Sequence, residues 1–345
     1  MRPRSFLVLL IVTVVVTLAA FASYLGESRH DTVRLDGEPV LPGFGEQVSK
    51  VRTVEVVTGG GGYTLERRGD GWVAASTYGY PVEDQQVRRM LVGLAGLEKI
   101  AAKTRRADLY PRLNVEDPDR PGAGSRLVRL LGADGEVLAA LIVGKQRHNR
   151  TGWEDKGTYV RRPGEARAWL ASGLVDLSDG IYPWLETDVV DIAPGDIRRV
   201  EIRPREGTRL LAVRPERGAP AMGVADVPPG RQPDVAKIRR LGSVLAKVKL
   251  DGVRPEGEMD FTDSLARAEI LTFDGLRFTT EIARHEGHYW LRLRAEPSPE
   301  AGAEAAAHAK RLSARIDGWA YQVADYIGER LSLSLEDVLR AETAS

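Results

Sequence analysis

The stretch "TGGGGYTLERRGDGWVAA", residues 58–75, decides how the rest of the chain is interpreted. Its four glycines suggest a phosphate-binding loop, and Arg68-Gly69-Asp70 spells a cell-adhesion tripeptide. A phosphate loop, however, needs a helix directly after the glycines and a lysine followed by serine or threonine. Here Tyr63 and Leu65 begin an alternating segment, and Asp70-Gly71 is a dipeptide that favours tight hairpin turns. The stretch therefore predicts a β-hairpin that serves as scaffold.

The same order of strand, hairpin, helix and hairpin occurs twice along the chain. The first copy begins with "VRTVEVVT" (51–58) and has a predicted helix with apolar residues from Val87 to Leu97; the second begins with "RRVEIRP" (198–204). Its helix is expected from Val235 to Val248. In each copy an Asp-Gly pair, Asp134-Gly135 and then Asp274-Gly275, lies at a predicted hairpin tip. A further short helix is expected at residues 166–171.

The N-terminus predicts a membrane anchor. Residues 5–26 have no charge and contain "FLVLLIVTVVVTLAAFASYL", and about 20 apolar residues suffice for a helix to span a bilayer. Arg2 and Arg4 precede this run and favour a cytoplasmic N-terminus. Two alternatives remain open, because Ala20-Phe21-Ala22 fits a signal-peptidase site and an apolar run can also form a buried core helix. We expect a single-pass membrane protein with an exported body and bilayer contact through residues 5–26.

These features predict an α+β fold. An N-terminal transmembrane helix precedes two tandem copies of a hairpin-helix-hairpin unit with mainly antiparallel sheets. The predicted organisation is an anchor (1–26), a stalk or linker (27–50), a first repeat (51–190) and a second repeat with C-terminal helices (191–345).

Composition narrows the classes of function. Lys plus Arg and Asp plus Glu number 49 each, so no net charge attracts the chain to nucleic acid. The absence of cysteine excludes disulfides, thiolate metal sites and cysteine nucleophiles. No nucleophile elbow, phosphate-binding motif or dinucleotide fingerprint occurs.

Three constellations deserve comparison with known sites, and each is weak. In His285-Glu286-Gly287-His288 the histidines are three residues apart instead of the four that a helical zinc site requires. Trp153-Glu154-Asp155 would suit a sugar, but such groups are common on surfaces. An acidic cluster lacks the ligand spacing of a calcium loop; it consists of Glu256, Glu258, Asp260 and Asp263. We therefore assign no catalytic, cofactor-binding or metal-binding residue, and expect no cofactor and no enzymatic activity. Carboxylates converging on His285 and His288 in a deep pocket would favour an enzyme instead.

Several stretches resemble a bacterial family known as domain of unknown function 4340. They are "LPGFGEQVSKVRTVEVV" (41–57), "YTLERRGDGWVA" (63–74), "YPVEDQQVRRMLVGLAGLE" (80–98), "GTYVRRPGEARAWLASG" (157–173), "PWLETDVVDIAPGDIRRVEI" (183–202) and "GWAYQVADYIGERLSLSLEDVL" (318–339). The resemblance implies one N-terminal anchoring helix, a periplasmic body and a gene beside ABC transporters of the gliding-motility type. It supplies no catalytic residues.

The resemblance also helps to interpret the C-terminus. Residues 300–316 are expected to form a helix that ends near Gly318, and 325–340 a second helix that a Ser334–Asp337 capping pair divides. Trp319 and Tyr321 are interpreted as core residues.

The leading hypothesis is a non-enzymatic, membrane-tethered periplasmic accessory protein of an ABC-type envelope transport complex, with transporter subunits of the inner membrane as partners. The alternative is a periplasmic module that binds an envelope lipid or glycan in a cleft between the two repeats.

Overall fold

A computed structural model of the protein describes residues 34–147, 156–175 and 177–340. The chain forms two compact units. The first contains the chain up to residue 73 and residues 83–183, and the second contains residues 74–82 and the chain from residue 184 onward. Residues 74–82 thus belong to the second unit although they interrupt the sequence of the first.

The first ten strands form one sheet. They are β1 (Arg34–Pro39), β2 (Thr53–Thr58), β3 (Gly61–Arg68), β4 (Gly71–Ala74), β5 (Tyr80–Pro81), β6 (Glu98–Ala102), β7 (Arg126–Leu131), β8 (Val137–Arg147), β9 (Gly157–Arg161) and β10 (Ala168–Ser172). Their order across the sheet is β1-β6-β10-β9-β8-β7-β2-β3-β4-β5.

The later strands form an eight-stranded sheet and a small two-stranded one. They are β11 (Asp188–Val190), β12 (Ile197–Pro204), β13 (Leu210–Val213), β14 (Gly223–Val224), β15 (Val248–Lys249), β16 (Gly252–Pro255), β17 (Ala266–Thr272), β18 (Leu276–His285), β19 (His288–Pro297) and β20 (Trp319–Val323). Strands β11 and β15 pair with each other, and the remaining order is β14-β13-β12-β17-β18-β19-β20-β16.

The helices are few and short. They are α1 (Asp84–Ala95), α2 (Tyr110–Leu113), α3 (Val235–Leu241), α4 (Ala303–Ile316) and α5 (Asp325–Leu331). Short 3-10 helices occur at Phe44–Glu46, Val48–Lys50, Ala107–Leu109, Tyr182–Trp184, Pro194–Asp196, Glu256–Glu258 and Glu336–Val338. Helix α1 forms because Val87, Met90, Leu91 and Leu94 recur at helical spacing and are all buried.

The two large sheets share one strand order. The first sheet contains strands in the spatial order β6-β10-β9-β8-β7-β2-β3-β4, and the second sheet contains them in the order β16-β20-β19-β18-β17-β12-β13-β14. Strands that hold the same position in the two sheets also follow each other in the same order along the chain: β2 corresponds to β12, β3 to β13, and so on to β10 and β20. The two units therefore have a common β topology, with α1 and α3 at the same point of each chain segment.

The opening stretch forms hairpins, as predicted. Gly59 and Gly60 connect β2 to β3, and Gly69 turns the chain from β3 into β4 with a positive φ of 61°. The Asp-Gly pairs also lie at hairpin tips, because Gly135 joins β7 to β8 and Gly275 joins β17 to β18, each with positive φ. The glycine run is therefore part of the sheet scaffold.

The predicted fold class, α+β behind an N-terminal transmembrane helix, is wrong. Antiparallel sheets dominate the described residues, and the helices between them are few. Among the helices that the structure describes, none has the length and apolar character needed to cross a membrane. The longest of them, α4, has 14 residues, whereas a span needs about 20. Residues 5–26, to which the spanning helix was assigned, lie outside the described residues.

Three predicted helices also differ from the structure. Residues 168–172 form strand β10, because both β6 and β9 pair with this segment. The helix after Pro233 ends at Leu241, where Gly242 and further turns follow. At the C-terminus α5 ends at Leu331, and Ser334 donates a hydrogen bond of 2.7 Å to the Asp337 carboxylate, so the predicted capping pair is confirmed.

The glycine run allows a direct test of the scaffold interpretation. A Cβ atom on Gly59 would lie 2.5 Å from the backbone nitrogen of Ala123, whereas one on Gly60 would meet no atom within 4 Å. We expect Gly59→Ala to lower the free energy of unfolding by about 1–3 kcal/mol through this backbone clash. The matched change Gly60→Ala should alter it by less than about 1 kcal/mol. Urea denaturation of the two variants checks this, and equal stabilities would contradict the close approach.

Candidate functional site

One face of the second sheet is lined with ion pairs. Successive side chains of a strand point to opposite faces, and in β12 the apolar residues Val200 and Ile202 are buried while the residues between and beside them are charged. Strand register aligns seven charged residues and one threonine of β12, β17, β18 and β19 in two rows. One row is Glu201, Glu269, Thr279 and Arg294, and the next is Arg203, Arg267, Glu281 and Arg292. We call these eight residues the charged face; they line a depression of about 280 Å³.

Glu201 is the most buried charge of this face, with 4% of the residue exposed. Its carboxylate contacts the guanidinium groups of Arg199, of Arg203 at 2.7 Å and of Arg209 at 2.8 Å. Hydrogen bonds from Arg209, then from Arg203, outweigh the effect of burial and lower the pKa of Glu201 to about 2. Glu201 is therefore a permanent anion that holds three arginines in place.

Two further glutamates hold the other arginines. Arg292 donates to Glu281 at 2.6 Å and to Glu256 at 2.8 Å, and Arg294 also contacts Glu256. Arg267 lies 3.4 Å from Glu281. Burial opposes ionisation of Glu256, but hydrogen bonds from Arg294 and Arg292 outweigh it and lower its pKa. The arginines of the face are thus each paired with a carboxylate.

An apolar cluster closes one end of the charged face. It consists of Met259, Phe261, Ala283, Trp290 and Ala320. The guanidinium of Arg292 lies 4.8 Å from the centroid of the Phe261 ring, and that of Arg254 lies 5.2 Å from the Trp290 ring. These cation–π contacts add packing to the ion pairs, so the arginines at this end have little rotational freedom.

The part of the face on β12 and β17 is open to solvent. Arg203 and Arg267 lie directly opposite each other on β12 and β17, and their side chains are 71% and 68% exposed. The Nε and Nη2 atoms of Arg203 contact the Glu201 carboxylate. Within the described residues its Nη1 group forms no hydrogen bond. Like charges in register repel each other. The pair is therefore suited to receive an anionic group.

The motifs considered in the sequence lie apart from one another. His285 and His288 flank the turn between β18 and β19, where Glu286 and Gly287 both have positive φ. Of the acidic cluster, Glu256 pairs with Arg292 and Arg294 of the charged face, whereas Asp260 accepts a hydrogen bond from the Thr262 backbone. Within residues 34–147, 156–175 and 177–340, no three His, Cys, Asp or Glu side chains converge to hold a metal ion. Trp153, Glu154 and Asp155 lie outside the described residues.

The two aromatic residues of β20 are packed against β5. Tyr321 is fully buried, and the ring centroid of Trp319 lies 5.0 Å from that of Tyr80 in an edge-on contact. Burial raises the pKa of Tyr80 to about 12 and that of Tyr321 further. The interpretation of both β20 aromatics as packing residues agrees with these contacts.

Sequence reasoning missed the charged face. Its signal is present in "VEIRP" (200–204), "ARAEIL" (266–271) and "WLRLRA" (290–295), where charged and apolar residues alternate. Such alternation ordinarily indicates a solvated sheet surface, and only the register of four strands shows that the charges meet.

Comparison with known families identifies the chain. The family model described as Domain of unknown function (DUF4340) matches residues 72–264, which is more than half of the chain. The protein therefore belongs to this family, and the resemblance seen in the sequence is confirmed. No curated protein and no solved structure matches the chain.

Proposed function

We propose that this member of the DUF4340 family is a non-enzymatic accessory protein of an ABC-type transport complex in the bacterial envelope, and that the charged face contacts a subunit of that complex. One observation carries the proposal: a set of guanidinium groups, each paired with a carboxylate, lies on an open sheet face. The family resemblance, which implies a gene beside ABC transporters, supports the choice of partner.

The pairing of these arginines with carboxylates favours binding to a protein. Arginine is enriched in protein interfaces because its planar group binds carboxylates with two parallel hydrogen bonds and packs on aromatic rings. Fixing its position before binding reduces the entropy that association would otherwise cost. The three glutamates that anchor the arginines, Glu201, Glu256 and Glu281, achieve this before a partner arrives.

The same ion pairs argue against acid–base catalysis at this face. A general acid or base works best with a pKa near the operating pH. The pKa values of Glu201 and Glu256 are instead lowered by their arginine partners, so neither carboxyl group can release and take up a proton near neutral pH.

The proposal includes a position at the inner membrane. The apolar composition of residues 5–26 and the family resemblance support membrane association with a periplasmic body. Attachment to the membrane would raise the local concentration of the charged face near a transporter, so that modest intrinsic affinity would be sufficient.

A pull-down of tagged full-length protein from the membrane fraction in mild detergent tests the proposal. We expect permease and ATPase subunits to co-purify stoichiometrically. The double variant Arg203→Ala/Arg267→Ala should reduce their recovery at least about ten-fold, since charged interface residues each contribute on the order of 1 kcal/mol or more. The control Arg68→Ala/Arg106→Ala removes two exposed arginines of the first unit and should change nothing. Recovery of the protein alone would contradict the proposal and favour the alternative, binding of an envelope lipid or glycan.

A further inference from the structure

We infer that a groove in the first unit binds a small zwitterionic ligand, one that carries an anionic group and an ammonium group close together. The inference is independent of the function proposed for the charged face. The groove has a volume of about 350 Å³ and lies between the 3-10 helix Val48–Lys50, the hairpin β3–β4 and helix α1. Its size falls within the lower part of the range found for small-molecule sites, about 300–1,000 Å³.

The groove combines an apolar part with charged groups of both signs. Val51, Trp72 and Leu91 line it and are buried in the core. A buried aromatic and two aliphatic side chains provide an apolar surface against which the methylene groups of a ligand can pack.

Two guanidinium and two carboxylate groups line the same groove. They belong to Arg67, Arg88, Asp70 and Asp84. Asp84 is fixed in place because its Oδ1 atom accepts a hydrogen bond of 2.8 Å from the backbone N–H of Trp72. Asp84 and Arg88 stand four residues apart on α1, a spacing at which opposite charges commonly pair.

These four charged groups are nevertheless not paired with one another. Within the part of the chain that the structure describes, Arg67, Asp70, Arg88 and Asp84 form no ion pair, although they line one groove. The neighbouring Arg68, by contrast, pairs with Glu66 at 3.0 Å. The groove therefore presents separated positive and negative charges with zero net charge.

A zwitterion matches this arrangement better than a simple ion. Guanidinium groups bind a carboxylate or a phosphate, and carboxylates accept hydrogen bonds from an ammonium group. A ligand with only one charge would leave one pair of groove charges unmatched. A free amino acid and a phosphoethanolamine headgroup share the required chemistry, and their different anionic groups allow an experiment to distinguish them.

Isothermal titration of the full-length protein with O-phosphoethanolamine and with leucine tests the inference. We expect saturable one-to-one binding of at least one of them. Tighter binding of O-phosphoethanolamine would indicate a lipid headgroup as the ligand, and tighter binding of leucine would indicate a free amino acid. Ethanolamine and inorganic phosphate, each supplying one of the charges, should bind at least ten-fold more weakly than O-phosphoethanolamine.

Variants locate the binding in the groove. Arg67→Ala/Arg88→Ala should weaken binding at least ten-fold, whereas the adjacent pair Arg68→Ala/Arg89→Ala, outside the groove lining, should leave it unchanged. Circular dichroism and thermal melting verify that both variants are folded. The Arg203→Ala/Arg267→Ala variant should bind the zwitterion normally, so failure of this inference and failure of the proposed function are distinguishable. Absence of binding by both zwitterions, or equal affinity in both arginine variants, would overturn the inference.

Discussion

Arg161→Ala is expected to lower the free energy of unfolding of the first unit by about 2–4 kcal/mol, through lost hydrogen bonds and lost packing. Arg161, in β9, is 3% exposed and donates to the backbone oxygens of Val115 at 2.7 Å and Glu165 at 3.2 Å. It also pairs with Asp117 at 2.7 Å, and its guanidinium lies 4.6 Å from the Tyr110 ring centroid. Its loss would remove these bonds and leave a cavity in the core.

The adjacent residue provides the control for this prediction. Arg162 is half exposed, and among the residues that the structure describes it pairs only with Glu165, three residues further on. Arg162→Ala should therefore change the free energy of unfolding by less than about 1 kcal/mol. Arg161→Lys should recover little of the loss, because an ammonium group cannot reproduce the three directions of the guanidinium. Denaturant titration followed by tryptophan fluorescence measures all three, and similar midpoints for the two alanine variants would contradict the structural role.

The second large effect concerns acid stability and Glu201. Its pKa is about 2 in the folded chain against 4.5 ordinarily. The folded state thus gains about 3 kcal/mol from the ionised group. Because the folded pKa is lowered, this contribution is complete above about pH 4.5 and is lost as the pH falls toward 2. Glu201→Gln should therefore be less stable than the wild type by about 3 kcal/mol at pH 7, with the difference vanishing near pH 2.

Glu269 is the matched control for Glu201. It lies directly opposite Glu201 on β17, and among the described residues its carboxylate forms no ion pair. Glu269→Gln should change the free energy of unfolding by less than about 0.5 kcal/mol at neutral pH. Urea titrations at several pH values between 2 and 7 compare the variants. A stability difference for Glu201→Gln that does not vary with pH would contradict the ion-pair origin of the effect.

Local patterns predicted the hairpins because their causes are local. Gly135 and Gly275 follow aspartate in turns that require positive φ, and glycine adopts that conformation without steric cost. The apolar spacing from Val87 to Leu94 likewise specifies the buried face of α1 without reference to distant residues.

Features that depend on distant strands were not predictable in this way. The segment Ala168–Ser172 is short and apolar, and it becomes a strand because β6 and β9 flank it. Glu201 alternates with apolar neighbours as a solvated residue would. It is nevertheless buried, because Arg209, which directly precedes the paired strand β13, forms an ion pair with its carboxylate. The charged face also forms only when four strands pair in the correct register, and that register depends on several hairpin and crossover connections at once.

Site-specific photo-crosslinking in living cells tests the central claim most directly. A benzophenone amino acid in place of Thr279, an exposed residue of the charged face, would react with whatever covers that face. The same amino acid in place of Val92, 59% exposed on α1 of the first unit, serves as the control. We predict a crosslink from position 279 to a permease or partner subunit of an ABC transporter, and none to that subunit from position 92. Crosslinks to the transporter from position 92 alone, or none from position 279, would contradict the account.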